Sequence, residues 1–415
     1  MAEIVVIGGG AAGMMSALQA ARSGAEVTLL ERNEKLGKKI YITGKGRCNL
    51  TNDCTQDEFL QQVPRNPRFL YSALSAFSPQ DMMALMEQGG CEVVVQRGRR
   101  VFPATEKASD VTRTLARLMQ QFGVRVRLNA RVSAIVQQSG ALTGVQLESG
   151  EMLPARAVIL ATGGQSYPST GSTGDGYQLA AALGHTITPP SPVLSALETS
   201  VDWPRQLQGL SLKNVTLTLR KGKKVLYQEL GEMLFTHFGI SGPLVLEMSC
   251  HLPEDIASAE ATLNLKPALT SEQLNARLQR EFAAGSRKQL LNVLPVLLPA
   301  RLAELFPTLC GIDGTKPCGQ ITREEREKLV HTLQALPLPI ARPRPLSEAI
   351  VTRGGVSVRE VAPSTMESKL IPGLFFAGEV LDVDAHTGGY NLQIAWSTGC
   401  CAGQSAAAYV LAAGN

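Results

Sequence analysis

Three glycines and one acid near the start of the chain have a spacing that does chemistry. Gly8, Gly10 and Gly13 form G-x-G-x-x-G between an apolar run, Ile4 to Ile7, and a helical stretch. The first glycine permits a tight turn, the second lets backbone approach a pyrophosphate, and the third lets helix and strand pack closely. The helix start then offers unpaired N–H groups and a partial positive charge to an anion. Glu31 closes a second apolar run, Val27 to Leu30, where an acid bonds ribose hydroxyls. This pattern predicts dinucleotide binding; the bland alternative is a glycine turn in an unrelated α/β protein.

Three further features favour FAD over NAD. After Glu31 the chain makes a long polar excursion, "RNEKLGKKIYITGKGRCN", instead of entering the next helix. "ILATGG" ends a later buried run and resembles the segment that passes near the cofactor in two-dinucleotide-fold flavoproteins, and "GLFFAGEVLD" resembles their C-terminal flavin motif, a strand leading to an acid, Glu379 or Asp382. A second G-x-G-x-x-G in strand–helix context is missing, since "GSTGDG" does not directly follow a strand. A separate NAD(P)H domain is therefore not expected.

Two polar, glycine-rich stretches carry the candidate proton donors. In "YITGKGRCNLTN", Cys48 sits beside Lys45 and Arg47, a setting expected to lower a thiol pKa; cysteine is equally a common small core residue. In "DAHTGGYNLQIA", His386 has an ordinary pKa near neutrality and so suits acid–base work, against a plain capping or structural role. Gly388 and Gly389 would let backbone approach a ring. The following helix start, Asn391 to Gln393, would aim its N-terminus at the flavin N1–C2=O edge.

The elements that must hold these residues follow from periodicity. Ile4–Ile7, Val27–Leu30 and Ala157–Leu160 read as parallel strands buried on both faces. Residues 57–89 and 108–122 have helical spacing, and residues 92–95 read as a strand. After the 108–122 helix come a strand at "VRVRL" and an alternating β-meander. A proline cluster at 188–196 suggests a boundary. A β-rich stretch to about 265 and amphipathic helices within 270–336 follow it.

Across 415 residues, 44% hydrophobic and 18% charged side chains describe an ordinary globular protein, and a net charge of +4 excludes a general polyanion binder. Eight cysteines show no metal-site spacing, so no metal is expected. No apolar run approaches about 18 residues. A cytoplasmic protein with reduced thiols and no membrane partner is the expectation. Three basic runs, "QRGRR" (96–100), "LRKGKK" (219–224) and "ARPRP" (341–345), could track RNA phosphates or be solvated turns.

The chain resembles the BaiN/RdsA-like family of NAD(P)/FAD-dependent oxidoreductases over essentially its whole length. The resemblance rests on "VIGGGAAGMMSA", "ERNEKLGKKIYITGKGRCNLTN", "VILATGGQSYPSTGSTGDGYQLAAALGH", "GEMLFTHFGISGPLVL" and "LFFAGEVLDVDAHTGGYNLQIAWSTG", in that order. It implies a Rossmann-like α/β domain for FAD built from both chain ends (1–190 and 357–415). A β-barrel domain (191–265 and 340–356) and a helical insert (266–339) would lie between. Cofactor contacts are carried onto Gly8, Gly10, Ala12 and Gly13; onto Glu31, Arg32 and Lys39; and onto Gly44, Gly46, Arg47, Cys48 and Asn49. They continue at Val132, Ala161, Thr162 and Gly163, and at Gly378, Glu379 and Asp382. The last segment is Gly389, Tyr390, Asn391, Leu392 and Gln393. His237 in "FTHFGISGP" becomes a further proton-donor candidate beside His386 and Cys48, against a plain turn.

The family's activities include reduction of a uridine of large-subunit ribosomal RNA to dihydrouridine and of bile-acid double bonds, both with NAD(P)H as electron donor. In each, hydride reaches the β carbon of a C=C bond conjugated to a carbonyl and an acid protonates the α carbon. The lead expectation is the rRNA enzyme. Behind it stand a small-molecule enone reductase, an amine oxidase and a flavin-bearing binding protein without turnover. Oligomeric state stays open.

Overall fold

The apolar runs pair as parallel strands. In the computed structural model, which describes residues 3–138 and 140–412, a five-stranded sheet runs in the order Leu374–Phe376, Ala157–Leu160, Ile4–Ile7, Val27–Leu30, Arg125–Arg127. All four neighbouring pairs are parallel, with Ile4 opposite both Val27 and Ala157. Val5, Val6, Leu29, Val158 and Ile159 are fully buried, as strands covered on both faces require.

The first helix, Ala11–Arg22, and the last, Tyr390–Ala412, meet through small residues. A Cβ on Gly399 would stand 2.6 Å from the Ala12 carbonyl oxygen, and one on Gly403 would stand 2.3 Å from that of Ser16. Glycines one helical turn apart thus let the two backbones touch. The C-terminal helix in this way clamps the element that begins at the glycine turn.

Contacts divide the chain into two units, Met1–Val193 with Pro345–Asn415, and Leu194–Arg344. The first also holds a three-stranded antiparallel sheet (Thr51–Asn52, Arg100–Pro103, Val93–Gln96) and a meander (Val132–Gln138, Ala141–Leu147, Met152–Pro154). The expected helix at 57–89 is broken into Gln56–Leu60, Tyr71–Ala76 and Pro79–Gln88. Prolines 64, 67 and 79 interrupt the backbone bonding, and Ser78 restarts the chain with a capping box.

The second unit is built on seven antiparallel strands, with the long hairpin Ser211–Lys221/Lys224–Thr236 near its centre. Its two edges are successive parts of one stretch. Residues 336–338 bond to 261–263, and residues 339–343 bond to 197–200. That stretch closes the sheet into a barrel. Helices Ser271–Ala284 and Arg323–Gln334, each opened by a threonine capping box, share one apolar core with it, Leu263 and Leu265 packing with Leu274, Leu278 and Leu333.

Two expected boundaries are corrected here. The helical block is not separate from the barrel, because its amphipathic helices have no other apolar face to cover. Of the segment 340–356, only Ile340–Pro343 joins the barrel, while Val351–Val356 pairs with Ile187–Val193 inside the first unit. No described helix is long and apolar enough to cross a membrane. Replacing Gly403 by Val should drive the two helices apart and destabilise the first unit by about 1–3 kcal/mol, the usual cost of overpacking. Thermal unfolding checks this, and an unchanged midpoint contradicts the helix contact.

Candidate functional site

The three glycines have three separable jobs. Gly8 has φ +104°, and a Cβ there would lie 2.5 Å from the Ala161 carbonyl oxygen. A Cβ on Gly13 would lie 1.8 Å from the Gly8 carbonyl oxygen, so this glycine is demanded by helix–strand contact. At Gly10 a Cβ would meet nothing within 4 Å, although the residue sits at the start of a buried helix. No side chain caps that helix, so the N–H groups of its first turn face the space beside Gly10. Nearby, Thr162 Oγ1 is buried without a hydrogen-bond partner among the described residues, and Gly163 turns the chain with φ +75°. Space, free donors and a partial positive charge fit a dinucleotide pyrophosphate.

Glu31 is buried, and one carboxylate oxygen accepts from the Gly9 N–H at 2.7 Å while the other accepts from the Asn33 backbone and side chain at 2.8 and 2.6 Å. It braces the glycine turn, and as a carboxylate it retains further acceptor capacity. Arg32 points to Thr173 and Asp175, at 2.6 and 2.8 Å, and Asp175 also takes Arg131 at 3.0 Å. Val132, buried beside Arg131, lines a groove of about 310 Å³ with Asp175 and Gln178.

The C-terminal acids are engaged as well. Glu379 takes Lys39 at 2.6 Å, Ser166 Oγ at 3.2 Å and the Thr352 N–H at 2.8 Å. Asp382, 5% exposed, faces Arg65 at 2.7 Å and the Thr188 hydroxyl at 3.1 Å. Gly378 (φ +77°) lays this loop on the first helix, since its Cβ would fall 2.7 Å from the Ala12 methyl.

The two polar loops of the sequence meet. Residues 38–42 form a helical turn, and Gly44, Lys45 and Gly46 all take positive φ before Cys48, itself at +59°. With its amide oxygen turned to the Gly389 N–H, Asn49 accepts there at 3.0 Å and donates to the Thr51 carbonyl at 3.2 Å. Asn52 donates to Gly388 O at 3.1 Å, and Trp396 Nε1 donates to Leu50 O at 3.0 Å. A Cβ on Gly389 would strike Thr51 at 2.4 Å. Sequence reasoning had no signal for Asn52, Thr51 and Trp396 as braces, because their partners lie more than 300 residues away.

Two side chains at the start of the final helix are engaged within the protein. Gln393 is fully buried and bonded to Thr51, Phe77 O and Ser397, so its amide serves the core. Asn391 closes its own loop, accepting from the Ala385 N–H at 3.0 Å and donating to Ala385 O at 2.7 Å. Tyr390, Asn391 and Leu392 stand at the start of the final helix.

Cys48 is the clearest correction. The thiol is fully buried, and desolvation pushes it up to about 12 despite a hydrogen bond with Thr43. The expected lowering fails because Arg47 turns away. Its guanidinium stacks on Phe102, 4.5 Å from the ring centre, and pairs with Glu106 at 3.2 Å. Lys45 is exposed. His386 is half-buried in the second loop, its backbone N–H bonded to Gln62 O at 2.9 Å. His237 is exposed in the turn between two barrel strands, edge-on to Phe238.

Two measurements check this site. Gly10→Ala should fold like wild type but lose flavin absorbance per protein, whereas Gly13→Val should fail to fold; normal flavin in the Gly10 variant would remove the phosphate reading. Cys48 should resist a thiol-alkylating reagent in native protein at mildly alkaline pH and react only on unfolding. Labelling of the native protein would contradict its burial.

The HI0933-like protein Rossmann domain matches residues 2–405. The chain is 33% identical to the 3-dehydro-bile acid delta(4,6)-reductase of Clostridium scindens, covering 98% of this chain and 99% of that protein. It is 34% identical to the ribosomal RNA dihydrouridine synthase of Haemophilus influenzae, over 95% and 96%. Among solved structures, the 3-ketosteroid delta1-dehydrogenase of Sterolibacterium denitrificans shares the fold with a TM-score of 0.53 at 14% identity, over 98% of this chain and 99% of that one. An open phosphate cradle on a glycine turn, a parallel sheet assembled from both chain ends, and relatives of this length and likeness lead to one conclusion: the chain belongs to the HI0933-like Rossmann-domain family and is a flavoprotein oxidoreductase.

Proposed function

We propose that the protein binds FAD, takes electrons from NAD(P)H and reduces a C=C bond conjugated to a carbonyl, with a uridine of large-subunit rRNA as substrate. The observation that carries this is the agreement of two near full-length relatives whose names describe the same chemistry on different molecules. Uracil's C5=C6 bond and the double bonds of a 3-keto steroid are both conjugated to a carbonyl. In sum, NAD(P)H and one proton convert C=C to CH–CH. FAD supplies the two-electron relay when bound.

The chain's own residues bind and orient. The first helix's N–H groups and Gly10 hold the pyrophosphate, and Glu31, beside that turn, bonds a ribose hydroxyl. Lys39, Asn49 and Gly389 shape loops that would lie along the bound cofactor. The start of the final helix would offer it partial positive charge. His386 is the lead donor of the proton to the α carbon, with His237 second. Cys48 is set aside as acid, since a buried thiol of that pKa belongs to the packing. Positive groups stabilise the enolate that precedes protonation.

A small-molecule enone remains the second reading, favoured by the Clostridium scindens relative. The deciding measurement is dihydrouridine in large-subunit rRNA, by nucleoside mass spectrometry, with and without the gene. Loss of the nucleoside, restored by wild type but not by the Gly10→Ala variant, supports the rRNA reading. An unchanged level transfers the proposal to the enone. Replacing His386 or His237 singly should slow flavin reoxidation by substrate about 10²–10⁴-fold for the true acid and leave reduction by NAD(P)H intact. Wild-type reoxidation in both variants would remove the histidines from the mechanism.

A further inference from the structure

The three basic runs of the sequence have different fates. In 341–345, Arg342 and Arg344 both pair with Glu198, at 2.9 and 2.7 Å, so their charge is compensated. The 219–224 run is the turn of the long barrel hairpin, where Lys221 faces Lys224. The third, Arg97–Arg100, is the tip of the hairpin formed by Val93–Gln96 and Arg100–Pro103, and it lies against the candidate site.

That connection is direct. The Asn52 side-chain nitrogen donates to the Gly98 carbonyl at 3.1 Å and to the Gly388 carbonyl at 3.1 Å. One amide thus fastens the hairpin tip to the loop holding His386 and Gly389. Arg97, Gly98, Arg99 and Arg100 are all exposed, and a Cβ on Gly98 would meet nothing within 4 Å. Arg99 is occupied. It pairs with Glu58 at 2.7 Å, and that bond holds the Glu58 carboxyl down to about 2. Arg97 and Arg100, with Lys45 on the adjoining loop, have no ion-pair partner among the described residues. Uncompensated like charges on one tip repel each other and add nothing to the fold. Guanidinium forks match phosphate oxygens bidentately.

We propose that the Arg97–Arg100 hairpin tip is a docking surface for RNA phosphates, holding the strand beside the Gly388 loop while one base enters the site. This rests on the rRNA reading above and specifies where the strand is held. Arg97 and Arg100 are the phosphate contacts. Asn52 is a positioning residue that keeps the tip in register with the site.

The test uses flavin-loaded R97Q/R100Q, with R97K/R100K as the charge-preserving control, and a large-subunit rRNA fragment. Affinity is measured against salt concentration, alongside flavin content and the rate of reduction by NAD(P)H. R97Q/R100Q should bind more weakly, with a slope of log K against log salt shallower by about 1 per arginine. R97K/R100K should keep the wild-type slope, and both variants should keep flavin and NAD(P)H reduction. Wild-type affinity and slope in R97Q/R100Q overturn the surface while leaving the rRNA reading intact. A wild-type protein that neither binds the fragment nor alters dihydrouridine overturns both.

Discussion

The site depends on backbone touching backbone. Gly13 meets the Gly8 carbonyl at a distance that no Cβ could share, and Gly399 and Gly403 also bring the final helix too close to the first for a Cβ. These contacts hold the first helix so that its uncapped end opens beside Gly10. A methyl at Gly8, Gly13, Gly399 or Gly403 would push an element away, and the donors would no longer converge. Among the glycines of the turn, Gly10 alone would carry a Cβ that meets no protein atom within 4 Å, so the packing does not demand a glycine there.

Around that frame, nearly every charged group expected at the cofactor already has a protein partner. Glu31 braces the turn, Arg32 holds Asp175, Lys39 holds Glu379 and Asp382 faces Arg65. Arg353 and the fully buried Asp384 add a bidentate pair next to the same loop. Removing Arg353 would leave the buried Asp384 charge uncompensated, so this pair constrains the position of its loop. The loops come from residues 38–52, 161–166, 352–353 and 378–391. Many of their polar side chains bond to each other, and backbone N–H groups and glycine faces remain beside the turn.

Much of this was legible in the sequence. The parallel strands announced themselves as continuous apolar runs, and the glycine spacing assigned the turn its three jobs. Local pattern misled where burial decided the outcome. Cys48 has basic neighbours in sequence, yet its side chain points inward while Arg47 swings onto Phe102, and desolvation outweighs charges that are no longer close. The helical block looked separable because its composition changes abruptly, whereas its apolar faces had to be buried against the barrel.

The sequence by itself determined the parallel strands, the glycine turn and the family, because these follow from periodicity, steric need at glycine and ordered motifs. Tertiary structure alone decided which polar groups remain available. It joined the Asn49–Asn52 loop to the Gly388–Gly389 loop and left Arg97 and Arg100 without ion-pair partners among the described residues. The physical reason is that hydrogen bonding and desolvation depend on neighbours hundreds of residues away, whose approach no local pattern encodes.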